Sequence, residues 1–108
     1  MAQQSEIQRQ KTKTKAVVVG ATSGAADEID ISKFAGGGFR IPFGSGLTSI
    51  TVYLAVETGG TFSALGDGSS PIAVVADAYY PLPDAVYGAA AMRLVGNQAG
   101  TADVLMKA

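Results

Sequence analysis

Thr48-Ser49-Ile50-Thr51-Val52-Tyr53-Leu54-Ala55-Val56 alternates without a break. Ile50, Val52, Leu54 and Val56 fall on one side of the chain, and Ser49, Thr51, Tyr53 and Ala55 on the other. A period of two is the signature of a strand with one face buried, because successive side chains leave a strand in opposite directions. The rest of the chain repeats this pattern in shorter bursts separated by Gly, Pro, Asp and Ser. After a polar start, Val17–Val19 open the first strand and Glu28–Ser32 alternate as the second. A turn is expected at Ala35-Gly36-Gly37-Gly38, since glycine accepts positive φ without strain. Phe39–Phe43 follow as a short strand, whose Pro42 belongs at an edge or a strand end.

After the long strand, Glu57-Thr58-Gly59-Gly60 reads as a hairpin turn returning through Thr61–Leu65. Strands are expected at Ile72–Ala76, Ala78–Leu82, Ala90–Val95 and Ala102–Lys107. A crossover with a turn of helix is expected at Pro83–Gly88. No helical period of ten or more residues competes. The prediction is an all-β domain: an antiparallel β-sandwich, or a small barrel, of about eight strands. Its expected core is Val17, Val19, Ile29, Ile31, Ile41, Ile50, Val52, Leu54, Val56, Leu65, Val74, Met92, Leu94, Val104 and Met106.

The 108 residues make one domain, and 47% of them are hydrophobic, enough for a core. That core is thin, because Ala and Val dominate and Trp is absent. Charge is divided unevenly. Residues 1–15 form a polar arm with Arg9, Lys11, Lys13 and Lys15 against Glu6, a net +3. Residues 16–108, the sandwich domain, carry four cations against eight acids, a net -4. A basic arm thus precedes an acidic body. Ile7, Arg9, Lys11, Lys13 and Lys15 are candidate contacts to an acidic partner; a frayed, solvated terminus is the plainer alternative. Four cations without stacking aromatics do not make a nucleic-acid surface. The first 15 residues lack the apolar stretch of a signal peptide, and no apolar run approaches the roughly 20 residues of a membrane span.

The chain contains no His and no Cys. A His-based triad, disulfides and thiolate metal sites are therefore excluded. Asp27, Glu28 and Asp30 cluster, but lack the spacing of a calcium loop. The Asp-Gly turn at 66–70 needs no metal to explain it. Gly36-Gly37-Gly38 and Gly44-Ser45-Gly46 lack the Lys-Ser/Thr of a phosphate loop. The expectation is a non-enzymatic protein with no catalytic residue, metal or cofactor. Tyr79, Tyr80 and Tyr87 gather around Pro81 and Pro83. They fit a turn packed over the end of a sandwich, a subunit or partner contact, or a sugar platform.

The stretch Leu54–Leu65, then Ala78-Tyr79-Tyr80-Pro81-Leu82-Pro83, then Gly88 and Met92-Arg93-Leu94-Val95, resembles small structural proteins of tailed-bacteriophage virions. Ile29–Ser32 and Gly36–Gly38 fit the same layout, so the resemblance spans roughly residues 28–107. It includes head decoration (cement) proteins of sandwich or jelly-roll-like type. What it implies is a non-enzymatic protein on the capsid surface, made in the host cytoplasm, with the major capsid protein and further copies of itself, as a homotrimer, for partners, and no nucleic acid or membrane. A tail, baseplate or head-fibre module and a carbohydrate-binding sandwich are the alternatives.

Overall fold

The computed structural model describes residues 12–66 and 68–107, with side chains from Ala16 onward. Nine strands form two antiparallel sheets, and no α-helix occurs among the described residues. The strands are β1 (Thr12–Val19), β2 (Ile29–Asp30), β3 (Gly36–Ile41), β4 (Ser49–Ala55), β5 (Ser63–Ala64), β6 (Ile72–Ala73), β7 (Ala78–Pro81), β8 (Ala91–Gly96) and β9 (Gly100–Lys107). One sheet has the order β1-β9-β3-β7, and the other β2-β8-β4-β5 with β6 also on β4. Pairing is nested. The first strand pairs with the last, β2 with β8, β3 with β7, and β4 with β5 and β6. The two short strands β5 and β6 cover opposite ends of β4, so together they fill one edge position.

The inner faces meet in one apolar core. The four-stranded sheet contributes Val17, Val19, Phe39, Ile41, Ala102, Val104 and Met106; the five-stranded sheet contributes Ile29, Ile50, Val52, Met92 and Leu94. Leu82 and Val86 close one end, and Leu47 and Val74 pack from the connecting segments. Burying each large aliphatic side chain contributes about 1.5–3 kcal/mol.

Three sequence expectations change. β4 ends at Ala55, whose carbonyl accepts from the Ala90 N–H at 3.0 Å. The chain leaves the sheet there, so Val56, expected in the core, is 91% exposed. Gly36–Gly38 are not a turn but the first half of β3. Close approach explains two of them: a Cβ at Gly37 would strike the Leu105 carbonyl, and one at Gly38 the Tyr79 ring. β1 begins at Thr12 rather than Val17, because Thr12–Lys15 pair with Val104–Lys107 and extend the ladder into the segment assigned to the arm. Pro42 follows the last residue of β3, the strand end where a missing donor does no harm.

The outer faces differ. The five-stranded sheet is overlaid by two loops that Arg93 on β8 gathers. Its Nη1 donates to the Ser23 carbonyl at 2.6 Å, and its Nη2 lies 3.8 Å from Glu28 Oε1. Its guanidinium sits 4.4 Å from the centroid of the Phe62 ring. The Gly59 N–H donates to Glu28 Oε2 at 2.8 Å, tying the second loop to the first. Replacing Arg93 by Met keeps the apolar stem and removes these contacts. The expected loss is about 1–2 kcal/mol, read as a lower urea midpoint with unchanged slope.

Candidate interaction surface

The outer face of the four-stranded sheet carries no such cover among the described residues. Register sets its central row: Asp103 on β9, Arg40 on β3 and Tyr79 on β7 are direct cross-strand neighbours. Arg40 Nη2 donates to Asp77 Oδ1 at 2.5 Å, and Nη1 to Asp103 Oδ2 at 3.3 Å. These pairs are exposed and contribute little stability, but they hold the guanidinium between Asp77 and Asp103. Tyr79 is 54% exposed, and its ring reaches over Gly38, where no side chain competes for the space. Arg40, Tyr79, Asp103, Val104 and Leu105 line an open depression of about 300 Å³. Its mixture of an exposed aromatic, the half-buried Leu105 and a fixed ion pair suits contact with another macromolecular surface.

The three tyrosines singled out by sequence do not share one surface. Tyr79 faces outward, while Tyr80, the next residue, turns the other way and stacks on Phe39 with centroids 5.7 Å apart. Its hydroxyl accepts the Val75 N–H at 2.9 Å, so Tyr80 fastens the turn ahead of β7. Tyr87 lies half-buried in the 3-10 turn Asp84–Gly88. Its hydroxyl is shielded from solvent and has no hydrogen-bond partner among the described residues. Burial, with smaller contributions from Tyr79 and Asp84, raises its pKa above the ordinary 10.0. Of the candidate cations, Lys13 and Lys15 lie in β1, whereas Ile7, Arg9 and Lys11 lie outside the described residues.

The three acids of the cluster serve separate partners. Asp27 Oδ2 accepts the Val18 N–H at 2.8 Å. Glu28 serves Gly59 and Arg93, and Asp30 Oδ1 accepts from the Ser32 N–H and hydroxyl at 3.0 and 2.7 Å. Sequence reading missed Arg40, Asp77 and Asp103. Arg40 and Asp103 show only as polar positions in alternating strands, and their pairing depends on a register the sequence does not spell out. Comparison of the chain with protein-family models, curated proteins and solved structures returns no match.

Tyr87→Phe removes a buried hydroxyl without a partner, and the expected outcome is a stability unchanged or raised by up to about 1 kcal/mol. The pH dependence has a definite sign. The folded state keeps the Tyr87 proton above the pH at which the unfolded chain releases it. The wild type therefore loses stability as pH rises past the ordinary tyrosine value, and the variant loses less. Thermal melts between neutral and strongly alkaline pH check this. In the same assay Tyr80→Phe should cost about 1 kcal/mol, and Tyr79→Ala no more than about 0.5 kcal/mol.

Proposed function

We propose that this chain is a structural component of a tailed-phage virion, a decoration or cement protein that binds the outside of the head and stabilises contacts between capsid subunits. The observation that carries the reading is the nested strand order. Pairing the first strand with the last, the second with the eighth and the third with the seventh is what results when one long antiparallel hairpin is rolled into two facing sheets. With β5 and β6 counted as one edge position, this order supports reading the sandwich as a jelly roll, an architecture common among capsid and lectin domains. The resemblance of residues 28–107 to virion proteins points the same way.

The mechanism is physical rather than chemical. A subunit that spans two capsomers adds buried surface that must be lost before they separate. Repetition over the shell multiplies a modest energy per site. In this reading the basic arm, with Ile7, Arg9 and Lys11 ahead of β1 and Lys13 and Lys15 within it, meets an acidic capsid surface. Tyr79 on the bare sheet face supplies aromatic area, and Phe43, 85% exposed beyond β3, is further apolar surface available to a partner. The protein acts as a homotrimer.

The test combines light scattering of the purified protein with sedimentation of mixtures with undecorated heads. The expected result is a trimer that co-sediments with the shells and lowers the fraction that opens on heating. Protein left in the supernatant, or labelled protein found on tails by imaging, overturns the assignment to the head.

A further inference from the structure

The strands that end the two sheets are unequal. β2, β5 and β6 have two residues each and β7 has four, ending in Pro81, which has no backbone donor. Short edges and edge prolines are how sheets avoid recruiting further strands. β1 has eight residues and no proline.

The direction of its backbone groups follows from one contact. The Val18 N–H donates to Asp27 Oδ2 at 2.8 Å, and the Val18 carbonyl accepts the Asp27 N–H at 3.1 Å. Both Val18 groups therefore point away from β9. In an antiparallel ladder, residues alternate between facing the partner and facing away. Ala16, Thr14 and Thr12 thus also direct their N–H and C=O outward, while Val17, Lys15 and Lys13 bond β9. Asp27 closes this edge at Val18. Among the described residues no strand runs along the remainder.

From this edge we infer that residues 12–16 of β1 form a strand-addition site for an extended segment of a partner protein with acidic residues at alternate positions. The backbone supplies the affinity, as in other strand additions, and charge selects the occupant. Lys13 and Lys15 place cations at alternate positions of this segment. A second copy of β1 laid antiparallel and centred on Thr14 would set Lys13 opposite Lys15, and facing like charges destabilise a strand pair. A strand bearing Asp or Glu at alternate positions reverses that sign. Asp27 shows only that the outward Val18 N–H and C=O are open to hydrogen bonding from outside the ladder. The inference rests on the edge alone and does not require the partner to be a capsid protein.

The experiment uses the full chain, isotopically labelled, and a capped peptide of alternating Glu and Val. The expected result is saturable binding in which amide exchange at Thr14 and Ala16 slows about tenfold or more while that at Val17 is unchanged, with affinity falling as salt rises. Ala16→Pro removes an outward donor without touching the β9 ladder, so it should leave the melting temperature in place and weaken binding about tenfold or more. As a check that needs no variant, methylating alternate backbone nitrogens of the peptide should abolish binding to the wild type. Equal binding by the Ala16→Pro protein, equal binding of a Lys-Val peptide, no binding of the Glu-Val peptide, or amides of Thr14 and Ala16 already protected in the free protein would each overturn the site.

Discussion

The rest of the structure depends on β9. It pairs with β1 over its whole length on one side and with β3 on the other, so the four-stranded sheet exists only when residues 100–107 have arrived between them. Thr12 pairs with Lys107, so the first described strand and the last must meet across nearly the entire chain. Closing that distance costs loop entropy before the contacts return it, which makes such topologies slow to fold and strongly cooperative. The second sheet obeys the same constraint, since β2 waits for β8. Neither sheet can be completed by the N-terminal half alone.

Given that closure, the two outer faces are put to different uses. Arg93 draws the Ser23–Glu28 segment and the Gly59–Phe62 segment over the five-stranded sheet, and its side chain is committed to them. The opposite face has Arg40 in the corresponding central place, but its partners Asp77 and Asp103 lie in or beside the sheet itself and bring no loop across it. Gly36 and Gly38 put no side chain on that face, and Tyr79 occupies the space beside Gly38. One arginine therefore seals a surface, and the other leaves a surface bare with its charge held between two carboxylates. The bare face and the free edge of β1 belong to the same sheet, so a partner engaging both approaches from one side.

Much of this was legible in the sequence where alternation alone decides. Ile50 and Val52, Met92 and Leu94, and Val104 and Met106 each mark an inner face by period two, and all are buried. Illegible positions were those set by a distant neighbour. Glycine reads as a turn because of its conformational freedom, yet Gly37 and Gly38 are needed because Leu105 and Tyr79 approach from neighbouring strands. Thr12–Lys15 read as a polar arm because they lack apolar residues, yet β9 offers them a ladder. Arg40 and Asp103 stand 63 residues apart, and nothing local announces that they meet. Tyr79 and Tyr80 read as a pair in composition, whereas the pleat sends one outward and one into the core.

Because Thr12 and Lys107 sit opposite each other at the same end of an antiparallel ladder, the mechanical response of this body is directional. Traction separating those two residues opens the β1–β9 ladder like a zipper, loading its hydrogen bonds one pair at a time. A strand lying along the free edge of β1 and drawn along its own axis instead loads all its bonds in shear together. The same backbone contacts thus yield easily in one direction and resist in the other. Orientation on a surface under tension would then matter as much to holding strength as the number of contacts made.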